Sequence, residues 1–302
     1  MRADLAAALA ALEPEIGAAE TEPVALDGGI TNRNFRLTAG GRDVVVRLPG
    51  KDTELLGIDR AAERAATAAA AAAGVGPAVV AYRESPPCLV TAFIPGLPVT
   101  AEGLREPGAL ADVAAALRAV HAGAGLPSQF DALAVVEGYH ATARERGAAI
   151  PPAYHDVIGG ARRIRAALQG PEHLPVPCHN DLLTANLIDD GVRVRIVDWE
   201  YAGMGDRFFD LGNLSVNNGF AEADDERLLA AYFGEPSTRR RVAALRLMRI
   251  MSDFREGMWG VVQTAISTLD FDFAGYADEH LARVAAGLAD PRFATWLEDA
   301  SA

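Results

Sequence analysis

Hydrophobic and polar positions follow two different patterns along this chain. In roughly the first ninety residues, short apolar runs alternate with turn residues, which predicts antiparallel strands joined by tight turns. The predicted strands are 22–26, 35–38, 43–48, 79–83 and 88–93. Leu5, Leu9 and Leu12 predict an amphipathic helix before them. A second helix is predicted at 58–73, ended by the Gly-Val-Gly-Pro run that follows it.

From about residue 101 onward the apolar positions recur mostly with the period of an α-helix. The predicted helices are 109–121, 135–146, 153–169, 224–232, 238–251 and 278–288, and the short predicted strands are 176–178, 187–188 and 192–197. We therefore predict an α+β protein, with a β-rich lobe at 1–95 and a larger, mainly helical lobe at 96–302. A ligand is expected between the two lobes.

Composition narrows the classes of partner. The chain has 302 residues and a formal net charge of -13, so it repels polyanions, and we expect neither nucleic acid nor a membrane surface as a main partner. No run reaches the roughly 18 apolar residues of a membrane span, and the charged N-terminal helix is unlike a signal peptide. We expect a cytoplasmic protein whose two cysteines, Cys88 and Cys178, are reduced and buried.

The segment at 178–201, CHNDLLTANLIDDGVRVRIVDWEY, carries the most informative chemistry. It supplies Asp181, then Asn186 five residues later, then Asp198 at the end of a hydrophobic run. Phosphoryl transfer from a magnesium nucleotide needs a carboxylate for the attacking hydroxyl, and an amide and a second carboxylate for the metal. The spacing of the first two equals that of the protein-kinase catalytic loop, and Asp198 falls where the later metal aspartate would. The alternative is that all three are helix caps or turn residues.

A resemblance to a known family rests on HNDLLTANLI, on IVDWEYAGMGDRFFDLGN, and on LDGGITNRNFRL, VVVRLPG and IDRAAE in the first lobe. With a Trp-containing helix at 254–267, these motifs resemble the choline/ethanolamine kinases, which are related to the aminoglycoside phosphotransferases, over roughly residues 24–285. The resemblance implies a two-lobed protein-kinase-like fold, with a small antiparallel β lobe bearing one helix. It also implies transfer of the γ-phosphoryl group of ATP to the hydroxyl of an amino alcohol, with Mg²⁺ held by Asn186 and Asp198.

The residues that would bind the nucleotide are expected in the first lobe. Arg47 on the third strand is expected to hold the donor phosphates, with Glu63 as its partner; the alternative for Glu63 is a solvated helix face. The glycine turn is expected to lie over the phosphates, although a plain hairpin connection explains it as well. The hinge at 91–96 would present backbone groups to the base. The residues assigned to the nucleotide are Gly28, Gly29, Thr31, Asn32, Asn34, Arg47, Glu63, Thr91, Phe93 and Ile94.

The acceptor site is expected around the catalytic aspartate. The residues assigned to it are Asp181, Glu200, Tyr201, Asn217, Glu256, Trp259 and Tyr276. The resemblance implies an aromatic cage for an ammonium group, from which this sequence departs at Glu256, where a tryptophan is usual, and at Asn217, where an acid is usual. A carboxylate in place of a ring makes a primary amine as plausible as choline. The aromatic members could also be ordinary core residues.

Three interpretations remain open from sequence. A cytoplasmic kinase for choline or ethanolamine is the first. An aminoglycoside or other aminated-metabolite phosphotransferase is the second, and a catalytically silent nucleotide- or amine-binding protein is the third. The partners are a nucleotide and a small amino alcohol; ATP against GTP, and monomer against homodimer, stay open. We expect His179 to be structural, Asp210 to brace the catalytic loop or cap a helix, and 189–191 to form a turn.

Overall fold

The N-terminal strands form one antiparallel sheet with the order β1-β2-β3-β5-β4. Its strands are β1 (Val24–Leu26), β2 (Asn32–Ala39), β3 (Arg42–Pro49), β4 (Val79–Glu84) and β5 (Pro87–Ala92). The computed structural model describes residues 2–26 and 31–302. Alternation along β3 buries Val44 and Val46 completely, because successive side chains point to opposite faces. Helix α1 (Arg2–Ile16) packs its Leu12 and Ile16 into the same small core.

Helix α2 (Arg60–Ala72) follows the third strand and begins where the side chain of Asp59 caps it. The Asp59 carboxylate accepts hydrogen bonds from the backbone N–H groups of residues 61 and 62 at 2.8 and 3.0 Å, which satisfies donors that a helix start leaves free. On its buried face, Ala66 and Ala70 pack with Trp199 in the larger core. This position brings Glu63 of α2 towards β3.

The rest of the chain is mainly helical and surrounds α9. The helices are α3 (Ala101–Leu104), α4 (Pro107–His121), α5 (Ala132–Glu145), α6 (Pro152–Ala167), α7 (Arg207–Asn217), α8 (Glu222–Phe233), α9 (Arg239–Ile266), α10 (Phe273–Ala289) and α11 (Phe293–Ser301). Helix α9 packs against α5, α7, α10 and α11. Its residues 243–263 are almost all buried, so it forms the axis of this half of the molecule.

Two small antiparallel sheets place the catalytic segment. One has the order β6-β8-β9, and the other pairs β7 with β10. Their strands are β6 (Leu97–Pro98), β7 (Val176–Cys178), β8 (Leu187–Asp189), β9 (Val194–Ile196) and β10 (Gly203–Gly205). Asp181 and Asn186 lie between β7 and β8, and Asp198 follows β9, so short strands fix both ends of the motif.

The architecture confirms the α+β prediction, but the helices after residue 96 differ from the predicted set. The two helices predicted at 238–251 and 254–267 are one continuous helix. Ser252 and Asp253 look like a helix start, but Asp253 instead accepts hydrogen bonds from His280 and Arg283 of α10, each at 2.9 Å. Helices α3, α7 and α11 were not predicted; in α7, Gly212 and Asn213 interrupt the apolar pattern. The division at residues 95 and 96 stays a prediction.

Within residues 2–26 and 31–302, no helix combines the length and the apolarity needed to cross a bilayer.

Candidate active site

Asp181 sits in a tightly bonded loop directly after β7. The side-chain amide of Asn186 donates to the backbone carbonyl of Asp181 at 2.9 Å and lies 3.4 Å from its carboxylate Oδ2. The Nδ1 atom of His179 accepts from the backbone N–H of Asp181 at 3.1 Å, and its Nε2 atom lies 2.9 Å from the carbonyl of Val197. Burial lowers the pKa of His179. The ring of His179 is buried and both of its nitrogens contact backbone groups, which fits the structural role expected from sequence.

Asp210 and Asn213 of α7 hold the backbone of the loop that carries Asp181 by hydrogen bonds. The Asp210 carboxylate accepts from the backbone N–H groups of His179 and Asn180 at 2.8 and 2.7 Å. Burial opposes the charged form, but hydrogen bonding and charge from His121 outweigh it and lower the pKa of Asp210. Asn213 accepts from the N–H of residue 182 and donates to the hydroxyl of residue 252 on α9 at 3.0 Å. The loop backbone is therefore held by two buried side chains.

Asp198 and Arg47 join the sheet to the catalytic segment. Asp198 has a φ of 68°, a left-handed conformation uncommon for a residue other than glycine. Its Oδ1 lies 2.5 Å from Nη1 of Arg47, which also lies 2.7 Å from Glu63 Oε1, while Nε donates to Asn34 at 3.2 Å. Burial opposes the guanidinium charge, but Asp198 and Glu63 outweigh it and raise the pKa of Arg47. Glu63 is only 2% exposed, which excludes the solvated-face alternative.

A cavity of about 360 Å³ opens between the five-stranded sheet and the catalytic segment. Its volume lies in the range of small-molecule and cofactor sites. Seven of the residues predicted for the nucleotide or metal line it: Asn34, Arg47, Thr91, Phe93, Ile94, Asn186 and Asp198. The remaining walls are largely apolar. Gly28 and Gly29, also predicted for the phosphates, lie outside the described residues.

The donor set at this cavity fits magnesium. The Nδ2 group of Asn186 is used by Asp181, which leaves the amide oxygen as the atom available to a ligand. Asp198 adds carboxylate oxygen from the opposite side of the motif. Hard oxygen donors of this kind, completed by water and phosphate oxygens, are what Mg²⁺ prefers.

Glu200 lines a second cavity together with Tyr201, and its carboxylate is bonded to residues of the first lobe. Its carboxylate accepts from Thr31 at 2.5 Å and from Asn32 at 2.8 Å, and lies 3.1 Å from Arg60 Nη1. Burial, followed by the nearby charge of Asp198, raises the pKa of Glu200 to about 7. The structure therefore groups Glu200, which was assigned to the acceptor, with Thr31 and Asn32, which were assigned to the phosphates.

The aromatic residues assigned to the acceptor come together beside α9. The indole N–H of Trp259 donates to the hydroxyl of Tyr201 at 3.1 Å. The Trp259 and Tyr276 rings meet edge to face with centroids 5.8 Å apart, and the Tyr276 hydroxyl donates to Glu256 Oε2 at 2.9 Å. Asn217, at the end of α7, has no such contact with these four; its Nδ2 atom is buried and unbonded within the described part of the chain.

Arg255 is the residue that sequence reasoning missed. Its Nη1 atom lies 3.3 Å from Asp181 Oδ1 and forms a close ion pair with Glu256. Its guanidinium carbon lies 4.3 Å from the centre of the Tyr201 ring. Burial opposes its charge, but Glu256 and Asp181 raise the pKa of Arg255 above its usual range. The buried stripe of Met251, Arg255, Met258 and Val262 on α9 was the available signal, because it places one charge in an apolar row.

Asp181 itself is tuned by this environment. Burial raises the pKa of its carboxyl group to about 7. Arg255 acts in the opposite direction, and the charges of Glu256 and Asp198 add to the rise. Asp198 therefore lies near enough to Asp181 for its charge to raise the pKa of the Asp181 carboxyl group.

Comparisons with known proteins agree with this geometry. The sequence profile of the phosphotransferase enzyme family matches residues 22–245. A crystal structure of a choline/ethanolamine kinase family protein from Mesorhizobium loti shares 35% identity and a TM-score of 0.85, covering 100% of this chain and 99% of that one.

Curated relatives from rat and human carry the name ethanolamine kinase 2. The rat protein is 29% identical over 82% of this chain and 71% of its own length. The human protein is 36% identical over 33% of this chain, and that match spans about a third of its own length, 31%. The family profile and the full-length structural likeness agree, and the chain belongs to the choline/ethanolamine kinase family within the phosphotransferase enzymes.

Proposed function

We propose that this protein is a magnesium-dependent kinase that transfers the γ-phosphoryl group of ATP to the hydroxyl group of an amino alcohol. Ethanolamine and choline are the first acceptors to test. One observation carries the proposal: Asp181, Asn186 and Asp198 converge beside a cavity of about 360 Å³ that also contains Arg47. These are the groups that phosphoryl transfer to an alcohol requires.

In the proposed reaction, Asp181 orients the acceptor hydroxyl and takes its proton as the oxygen attacks the γ-phosphorus. A bond forms between that oxygen and phosphorus, the bond from phosphorus to the bridging oxygen breaks, and ADP leaves. Arg47 holds the non-transferred phosphates, with Glu63 fixing its side chain. Asn186 and Asp198 would hold Mg²⁺, which neutralises charge on the phosphate oxygens when it is bound.

The pKa of Asp181 supports its role as the base. A carboxyl group with a pKa of about 7 is half ionised near neutral pH and accepts a proton more readily than an ordinary aspartate does. The Arg255 contact at 3.3 Å keeps this carboxylate oriented. His179 is not needed as a base, because both of its ring nitrogens are engaged by backbone groups.

The acceptor side favours an amine that can donate hydrogen bonds. Glu256 offers a buried carboxylate beside the Tyr276 hydroxyl, where a ring would offer only a π face. We place the reaction in the cytoplasm, where ATP is available, and propose no role for a membrane or a nucleic acid.

Phosphorus NMR with ATP and Mg²⁺ tests the proposal directly. Purified protein is incubated with ethanolamine, choline or an aminoglycoside, and the appearance of a phosphate ester is followed together with ADP. Ester formation from an amino alcohol is expected. Ester formation from the aminoglycoside alone would assign the second interpretation, and nucleotide binding without any ester would assign the silent binding protein.

A further inference from the structure

Arg255 occupies the place where a cationic acceptor would bind. Its guanidinium covers the face of Tyr201 at 4.3 Å, the distance of a cation–π contact. It also pairs with Asp181 and Glu256, the two carboxylates that an acceptor ammonium would be expected to use. The side chain is 2% exposed and stands on the most buried part of α9, so it is a fixed part of the site. A quaternary ammonium therefore finds one ring face of its cage already covered.

One edge of this guanidinium is left unused. Within residues 2–26 and 31–302, the Nε and Nη2 atoms of Arg255 are buried and have no hydrogen-bond partner, whereas Nη1 makes both ion pairs. Nε–H and the adjacent Nη2–H are parallel donors, the arrangement that binds the two oxygens of a carboxylate. Buried donors without an acceptor are unfavourable. This edge is consequently suited to an oxyanion supplied by a ligand.

Arg255 and Glu256 offer two different binding groups: the Nε–Nη2 edge of Arg255 suits an anion, and the Glu256 carboxylate suits a cation. Glu256 uses one oxygen for Arg255 and the other for the Tyr276 hydroxyl, and each oxygen keeps a second lone pair that can accept from an ammonium group. Asp181 meets the hydroxyl that is phosphorylated. The free edge of Arg255 lies on the other side of the same guanidinium. A small acceptor with a hydroxyl, an amine and a carboxylate would satisfy all three groups at once.

We propose that the preferred acceptor is an amino alcohol that also carries a carboxylate, that is, a hydroxylated amino acid, and that the Nε–Nη2 edge of Arg255 binds this carboxylate. The proposal rests on the proposed function, because it narrows the acceptor of the same reaction. Arg255 is then a specificity-determining residue: it selects for the anionic group and covers the aromatic face that choline would use.

A panel of paired acceptors tests this assignment on the wild-type enzyme. L-Serine, L-homoserine and L-5-hydroxynorvaline are each compared with the corresponding amide, which keeps the hydroxyl and amine but lacks the negative charge. Ethanolamine and choline complete the panel. With ATP and Mg²⁺, we expect kcat/KM for at least one carboxylate acceptor to exceed that for its amide and for both simple amino alcohols by at least about tenfold. Equal values, or a preference for ethanolamine or choline, would overturn the proposal.

Variants then assign the effect to one side chain. Arg255→Met is expected to bring the ratio of carboxylate to amide close to one, and Arg255→Lys to retain only part of it, because lysine keeps the charge without the paired donors. Arg144→Met, at an exposed position of α5, is the matched control and should leave the ratio unchanged. A ratio that survives in Arg255→Met would contradict the role of this residue.

Calorimetry separates failure of this proposal from failure of the proposed function. Binding of each carboxylate and its amide is measured in the presence of a non-hydrolysable ATP analogue and Mg²⁺. If no acceptor is phosphorylated, the proposed kinase function is wrong, yet tighter binding of the carboxylate would still support the assignment of Arg255. Equal binding of both members of every pair would overturn that assignment whether or not turnover occurs.

Discussion

Nη1 of Arg47 lies 2.5 Å from Oδ1 of Asp198, although 151 residues separate them in sequence. The contact joins β3 of the sheet to the segment after β9. It also puts the cation proposed for the donor phosphates next to the carboxylate proposed for magnesium. Bringing an arginine and a metal ligand together in this way prepares one surface for a nucleotide and its metal.

Replacing Arg47 should therefore weaken nucleotide binding. In Arg47→Met, the phosphates lose their cation, while Glu63 and Asp198 lose their buried partner; we expect KM for ATP to rise by at least about tenfold. Steady-state kinetics at a saturating concentration of acceptor measure this KM. Arg42→Met, at the exposed start of the same strand, is the matched control. Similar KM values in both variants would contradict the assignment of Arg47.

Replacing Asp181 should remove the chemical step and spare nucleotide binding. Asp181→Asn keeps the size of the side chain but cannot take the hydroxyl proton, so we expect kcat to fall by about 10² to 10⁴. The Kd for an ATP analogue, measured by calorimetric titration, should remain close to that of the wild-type protein. Asp156→Asn, on the exposed face of α6, provides the control for loss of an aspartate. A kcat near the wild-type value in Asp181→Asn would mean that another group accepts the proton.

Activity should increase with pH up to about 7. Burial raises the pKa of Asp181 to about 7, so below this pH the group is protonated and cannot act as a base. We expect log kcat/KM to rise with a slope near one towards pH 7 and then to level off. Glu256→Gln removes a negative charge that contributes to the rise, so the midpoint should shift to lower pH. A flat profile between pH 5 and 8 would argue against a titrating Asp181.

The close approach of α7 and α9 predicts a sensitive glycine. A Cβ atom at Gly212 would lie 2.8 Å from the backbone N of Arg249 and 2.8 Å from the backbone C of Met248. Because backbone atoms cannot move aside as a flexible side chain can, Gly212→Ala should destabilise the protein by about 1–3 kcal/mol.

A second glycine supplies the control for that measurement. Gly159 lies in α6 with no described atom within 4 Å of an added Cβ. Gly159→Ala should therefore stabilise the protein by about 0.5–1 kcal/mol through helix propensity. Thermal and urea unfolding of both variants measure the difference, and equal effects would contradict the packing argument.

The residues proposed for the nucleotide could largely be predicted from the sequence. Asp181, Asn186 and Asp198 belong to one short segment with recognisable spacing, and Arg47 is marked by its place on the third strand. Local order explains only the grouping within that segment, since 151 residues separate Arg47 from Asp198. The roles themselves await the measurements above.

The acceptor half was less accessible, since its contacts depend on tertiary packing. Arg255 meets Asp181 across 74 residues, and Tyr201, in a turn before β10, meets Trp259 across 58 residues. The residues next to Arg255 in sequence do not indicate that its guanidinium packs on the ring of Tyr201. Likewise, the sequence does not show that Asp253, inside one continuous helix, bonds to His280 and Arg283 of α10.

Helix α9 carries Arg255, Glu256 and Trp259 within five consecutive positions, whereas the nucleotide residues belong to the sheet and to the segment at 178–201. With the proposed roles, a few codon changes on this helix would alter acceptor preference while the residues proposed for the phosphates stay intact. After gene duplication, such a layout lets daughter enzymes diverge towards new metabolites without having to reinvent their chemistry.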